Sequence, residues 1–404
     1  MKTERKFPFA VITKKQELRV KDGHPWIYAD EITDCSEEIE NGSIVDVFGQ
    51  KHNYLGSGFY SEKSLIRIRL LGRNANDSYD DAFFERRVGY ALKYRKDVMK
   101  EDFNACRLIH GESDGLPGLT VDKYEDILVA ECASFGMETK KDVIYRALKD
   151  QLSEYGITIR GLYERNEGEL RKKEGLEQYK GWYEPFGVPE SPEVEITENG
   201  LKYLVDVENG QKTGFFLDQK YNRLAVRKMA EGKRVLDCCT HTGSFAMNAA
   251  MGGAVSVTAS DISETALEQA KANAELNGLN IDFIQADVFE LLPKLREEHR
   301  KYDFIILDPP AFTKSRKTFH NARNGYRSIN AMAMKLLERG SYLATCSCSH
   351  FMPAEEFKSM LKDAAKDAGV SLKIVEERHA SPDHPEMIGI PETDYLKFFL
   401  VQIN

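Results

Sequence analysis

Five apolar runs in the C-terminal half of the chain each end on a residue able to do chemistry. Asp237 follows Arg234-Val-Leu, Asp261 follows Val255-Ser-Val-Thr-Ala-Ser, Asp287 follows Ile281-Asp-Phe-Ile-Gln-Ala, Asp308 follows Phe304-Ile-Ile-Leu, and Cys346 ends Tyr342-Leu-Ala-Thr-Cys. The acids stand 24, 26 and 21 residues apart, the period of a strand plus a crossover helix. They are therefore expected to line the carboxyl edge of one parallel sheet, where open α/β sheets bind ligands. The chemistry this order allows is a pocket for a methyl-donating nucleoside with a thiol nucleophile beside it.

A dinucleotide site would need Gly-x-Gly-x-x-Gly after the first strand, so that backbone could approach a pyrophosphate. The loop here is Asp237-Cys-Cys-Thr-His-Thr-Gly, with the single glycine Gly243. A methionine-bearing nucleoside asks for less: one close-approach glycine, an acid at the second strand end for ribose hydroxyls, and an acid or amide at the third for the adenine amino group. Gly243, Asp261 and Asp287 fill those places, and Asp237 and Asp308 complete the expected donor-site set. Each acid alone is more often a helix N-cap, as Asp261 before Ile262-Ser-Glu could be, so the signal lies in their joint order. Cys238 and Cys239 read as small core residues, and His241 as a local hydrogen-bonding group with no assigned role.

Asp308-Pro-Pro-Ala-Phe makes a rigid turn without amide donors, suited to holding a flat base. A thiol at the neighbouring strand end favours carbon methylation. Carbon 5 of a pyrimidine becomes nucleophilic once a thiolate has added to carbon 6. Cys346 is the expected nucleophile, Asp308 the partner of the base's polar edge, and Cys348, two residues on, the rival thiol. Either cysteine could instead be a buried strand residue.

The elements that must position these groups can be read from periodicity. With 404 residues the chain suits two or three domains. Short alternating runs up to Leu71 imply a small β-barrel or sandwich over 1–72; helices and strands between Ala82 and Tyr163 imply an α+β unit over 73–186. The proline-rich Glu184-Pro-Phe-Gly-Val-Pro-Glu-Ser-Pro then leads into a doubly wound α/β domain over 187–404. In that last domain seven strands alternate with helices, one helix is expected to run from Ile329 to Arg339, and the final two strands form an antiparallel hairpin, the architecture of class I methyltransferases.

Seven cysteines without Cys-x-x-Cys argue against a disulfide framework and against a zinc ribbon, no metal ligand is expected, and no run has membrane-spanning length. Met1-Lys-Thr-Glu-Arg-Lys opens no signal peptide, so a reducing cytoplasm is expected. The net charge of −9 opposes polyanions on average, yet Pro309 to Leu337 carries no acid and holds Lys314, Arg316, Lys317, Arg323, Arg327 and Lys335. That stretch is expected to face phosphates.

Gly23-His-Pro-Trp-Ile-Tyr, Asp114-Gly-Leu-Pro-Gly-Leu-Thr-Val-Asp-Lys-Tyr, Asn209-Gly-Gln-Lys-Thr-Gly-Phe-Phe-Leu-Asp-Gln, Asp308-Pro-Pro-Ala-Phe and Thr345-Cys-Ser-Cys-Ser together carry a resemblance. Over nearly its whole length the chain resembles the bacterial 23S rRNA cytosine-5 methyltransferases, built from an N-terminal PUA domain, an α+β middle domain and a class I methyltransferase domain. The resemblance implies S-adenosylmethionine as cofactor, 23S rRNA as partner, Thr213 and Phe216 at the border of the donor site, and Lys14, Lys15 and Arg19 as phosphate contacts. Two departures stand out. The loop after Asp237 lacks the family's common aromatic and Ser-Tyr-Thr-Gly pattern, and Ala311-Phe312 replace the second cysteine that another cytosine-5 subfamily carries after the prolines. A noncatalytic RNA-binding assembly factor and a uracil-5 methyltransferase are the competing functions, and the oligomeric state is left open, a homodimer included.

Overall fold

The computed structural model describes residues 7–313 and 316–404; Met1 to Lys6, Lys314 and Ser315 lie outside the described residues. The chain divides into two compact units. One comprises 1–196, 204–217 and 382–391, the other 197–203, 218–381 and 392–404.

The first unit holds two sheets. Six short strands between Phe9 and Gly72 form one, with Val45, Val47, Ile27 and Ile68 alternating into its core. An additional helix, Lys14–Lys21, which alternation alone does not reveal, follows Thr13, whose hydroxyl accepts from the Gln16 amide as an N-cap. Five strands between Ala105 and Trp182 form the other sheet, beside helices Asp81–Met99 and Lys141–Glu154. Trp26 Nε1 donates to Glu112 at 2.8 Å, and Arg69 also binds that carboxylate, so the motif around Trp26 is a structural joint between the two sheets.

The second unit carries the expected doubly wound sheet. Its elements are α1 (Lys220–Met229), β1 (Arg234–Cys238), α2 (Ser244–Met251), β2 (Ser256–Asp261), α3 (Glu264–Leu276), β3 (Asp282–Gln285), α4 (Val288–Glu297), β4 (Tyr302–Leu307), α5 (Phe319–Leu336), β5 (Leu337–Ser347), α6 (Ala354–Ala368), β6 (Leu372–Arg378) and β7 (Lys397–Ile403). The strand order is β3-β2-β1-β4-β5-β7-β6, parallel up to β5 and closed by the antiparallel β7 and β6. Alternation buries both faces: Val235, Phe304, Ile306 and Ala344 pack beside α1 and α2, while Leu236, Leu307 and Leu343 pack beside α4, α5 and α6.

One element departs from expectation. Helix α5 starts at Phe319, ten residues ahead of the expected Ile329, because Ala322, Tyr326 and Ile329 already continue a buried stripe that the intervening polar residues hide. Its charges depart too. Arg323 pairs with Asp363 at 2.7 Å and Arg327 with Asp367 at 2.6 Å, both on α6, so two of the expected phosphate contacts hold helix to helix instead. Lys317 and Lys335 are exposed, and the side chain of Arg316 lies outside the described residues.

Helix α1 is fixed by a fully enclosed ion pair in which Arg223 Nε and Nη2 reach Glu198 at 2.6 and 2.8 Å. Removing one partner strands the other charge without water. Glu198→Ala is expected to destabilise the protein by about 3–5 kcal/mol, read as a lower midpoint in urea unfolding.

Candidate active site

The sheet register builds the site. Leu307 of β4 pairs with Thr345 of β5 and with Cys238 of β1, and Cys238 pairs with Ser260 of β2. One residue further along, Asp308, Cys346, Cys239 and Asp261 form a row across four strand ends. Asp287 follows β3 at the same edge. The Cys239 thiol is pushed up by burial and by four nearby carboxylates, those of Asp261, Asp308, Asp237 and Asp287. The acids chosen from spacing therefore do converge.

Each acid has distinct partners. Asp237 accepts the Thr240 hydroxyl at 2.5 Å and the Ala246 amide at 3.0 Å on Oδ2, while its enclosed Oδ1 has no hydrogen-bond partner among the described residues. Asp261 accepts amides of His241 and Ser263, and Asp287 caps α4 by accepting the Phe289 amide at 2.8 Å. The N-cap role weighed from sequence is thus real for Asp287, and it leaves oxygen lone pairs for a ligand. Gly243, left-handed at φ 81°, opens α2; a Cβ there would meet Ala270 of α3 at 3.1 Å, so its close approach is to a neighbouring helix. Cys239 and His241 are also left-handed, at φ 61° and 50°, which concentrates backbone strain in this loop.

Asp308 meets a different environment. Pro309 and Pro310 offer it no amides, and Gln219 Nε2 reaches both carboxylate oxygens at 3.1 and 3.2 Å. Burial and the nearby Asp218 raise its carboxyl from 3.8 to about 7, moderated by Arg223, Gln219 and Cys346. Asp237 is likewise raised to about 7, chiefly by burial. Gln219 escaped sequence reasoning as a site residue; its signal was the Asp-Gln pair that ends the Asn209 motif.

The thiols separate. Cys346 points toward α1 and α2 among Ala344, Phe398 and Ile306, has 0% of its surface exposed, and lies close enough to Asp308 for that carboxyl to act on its thiol. Burial first, then Asp308, pushes this thiol far up, and with none of its surface exposed in this conformation the structure speaks against the expectation that Cys346 attacks. Cys348 is half-buried just past the end of β5. Its segment is pinned to the loop after Asp308, because Ser349 Oγ donates to the Thr313 carbonyl at 2.9 Å and Lys397 Nζ donates to the Ser349 carbonyl at 2.7 Å.

Thr213 and Phe216 belong to the first unit. Thr213 is buried, with its hydroxyl donating to Asp122 at 2.5 Å, and Lys212 stands 5.0 Å over the Phe216 ring. Lys15 is paired with Glu31, and Arg19 lies beside His24 and over Tyr28.

Does S-adenosylmethionine fit these residues? The donor is a cation at sulfur and at its amino group, and the edge gathers four carboxylates, one with an unpaired buried oxygen. Exposed apolar side chains, Ile262 at 66% and Phe289 at 38%, stand next to Asp261 and Asp287. Charge and apolar cover both suit it. The raised acids also have a stability consequence: a carboxyl at 3.8 in the unfolded chain and about 7 in the fold stabilises below 3.8 and loses that contribution as pH rises through 7. Asp308→Asn is therefore expected to raise the melting temperature more at about pH 8 than at about pH 5, checked by thermal unfolding of both proteins.

Comparison with known proteins agrees with this geometry. A family model for S-adenosylmethionine-dependent methyltransferases matches residues 185–399, and one for PUA-like domains matches 10–73. Ribosomal RNA large subunit methyltransferase I of Klebsiella pneumoniae is 39% identical over 99% of this chain and 100% of its own length; that of Aeromonas salmonicida is 41% identical over 98% and 99%. A putative S-adenosylmethionine-dependent methyltransferase from Streptococcus mutans shares the fold, with TM-score 0.82 and 21% identity over 98% of this chain and 99% of that one. The extent of this likeness, added to a sheet edge fitted to S-adenosylmethionine, places the chain in the ribosomal RNA large subunit methyltransferase I family of S-adenosylmethionine-dependent methyltransferases.

Proposed function

We propose that the protein methylates carbon 5 of a cytosine in 23S rRNA through a transient bond between Cys348 and carbon 6 of the base. The name borne by the full-length relatives and the PUA-like domain support an RNA of the large subunit as substrate. The observation that carries the reaction type is a carboxyl poised near neutrality, Asp308, on a turn tied to the segment that holds a half-exposed thiol.

Bound S-adenosylmethionine supplies an electrophilic methyl group. Asp261 would hold its ribose hydroxyls and Asp287 its adenine amino group, with Ile262 and Phe289 against the base. Asp308 in its neutral form donates its proton to N3 of cytosine while the Cys348 thiolate adds to carbon 6, and the displaced electron pair makes carbon 5 nucleophilic. Carbon 5 would then bond to the donor's methyl carbon as the sulfonium carbon–sulfur bond breaks, after which loss of the carbon 5 proton to a base re-forms the ring double bond and expels the thiolate, and N3 returns its proton to Asp308. A carboxyl near 7 can serve both directions at neutral pH. Uracil already carries hydrogen at N3 and would call for an ionised partner, so a raised Asp308 favours cytosine over uracil. Gln219, hydrogen-bonded to both oxygens of Asp308, positions that carboxyl.

RNA carrying 5-fluorocytosine cannot lose its carbon 5 substituent as a proton and is expected to trap the enzyme covalently. Trapping should vanish in Cys348→Ala and persist, more slowly, in Cys346→Ala; the reverse result returns the attack to Cys346. In a strain lacking the gene, one 5-methylcytosine should disappear from large-subunit rRNA, and bisulfite mapping would show whether Cys348→Ala fails to restore it.

A further inference from the structure

Gln219 reaches Asp308 through one amide nitrogen, so the direction in which that amide points decides whether Asp308 faces a donor or an acceptor. Its direction is not free. Arg378 can only donate, and its Nε lies 3.1 Å from Asn222 Oδ1. Asn222 must then present Nδ2 on its other side, where it donates to Gln219 Oε1 at 2.7 Å and to the His379 carbonyl at 3.1 Å. With Oε1 so engaged, Gln219 must turn Nε2 onto Asp308, at 3.1 and 3.2 Å from its two oxygens. Arg378 is itself held by Glu376 at 3.0 Å. Gln219 and Asn222 are buried, so water does not compete for these bonds.

We propose that Arg378 and Asn222 are positioning residues for the reaction, acting through Gln219 to fix the orientation and acidity of the Asp308 carboxyl from the end of β6. This rests on the reading of Asp308 as the group that exchanges a proton with the base. The chain has a polarity: it starts on a permanent cation and ends on a carboxyl, and every amide between them has a single allowed orientation. The groups that act electrostatically on or with Asp308 include Asp218 and Gln219 just before α1 and Arg223 within it, Asp237 and Cys239 from β1 and its loop, Cys346 from β5 and Tyr326 from α5. Among them Gln219 is hydrogen-bonded to the carboxyl and Arg223 is the one cation, so the cation and the amide hold its midpoint down against burial.

The test is a carboxyl carbon-13 NMR titration of the protein labelled at aspartate Cγ, with Asp308→Asn assigning the resonance. Gln219→Leu removes the donor, and Asn222→Leu removes what orients it without changing charge. Both are expected to move the Asp308 midpoint to higher pH, Asn222→Leu by the smaller amount, and to move the alkaline limb of rRNA methylation in the same direction. A wild-type midpoint in Asn222→Leu overturns the relay, whether or not Gln219→Leu shifts. Arg378→Met repeats the question from the far end if Asn222→Leu fails to fold, and an unshifted midpoint there also overturns it. Fluorocytosine trapping by the wild type distinguishes the two levels: no trapping defeats the cytosine reading, whereas the NMR midpoints judge the relay independently.

Discussion

A half-buried carboxyl group at the tip of β4, its described hydrogen bonds coming from a side chain and not from main-chain amides, is the constraint around which the catalytic unit is arranged. Asp261 and Asp287 sit on the same sheet edge yet receive backbone N–H groups. Asp308 is followed by two prolines and receives its donors from side chains, chiefly Gln219. A carboxylate without amide donors in a dry setting gives up part of its charge. Burial raises Asp308 to about 7, as it does the enclosed Asp237 beside it. The arrangement is consistent with proton exchange at the base, while the acids toward β2 and β3 suit a cationic cofactor.

The two thiols show how strand alternation sorts like residues into different environments. Cys346 is still inside β5 and faces α1 and α2, where Phe398 and Ile306 enclose it. Cys348 lies past the last ladder bond, and its neighbours Ser347 and Ser349 are tied to Tyr326 and to the Thr313 carbonyl. A side chain on such a fixed rim keeps both access and position, two properties a nucleophile needs together. The enclosed cysteine offers contact with Asp308 and no access.

Electrostatics in this unit runs mostly through pairs. The fully buried Arg223 and Glu198 fix the start of α1, and the arginines of α5 are matched by acids of α6 four residues apart, Asp363 and Asp367. A stretch without acids therefore looks unbalanced in one dimension only. Neutralisation comes from the next helix, which lies some forty residues on.

The order of elements, the seven-stranded sheet and the convergence of the four acids were legible in the chain, because strand and helix periods are local and each acid directly follows an apolar run. So was the family, since its motifs are contiguous strings. Tertiary structure alone decided which thiol is accessible, that α5 begins at Phe319, that Arg323 and Arg327 are spent on α6, and that Gln219, Asn222 and Arg378 converge on Asp308. These depend on which side chains from distant segments exclude water around one another, and burial is a property of the packed ensemble that no spacing along a single strand encodes.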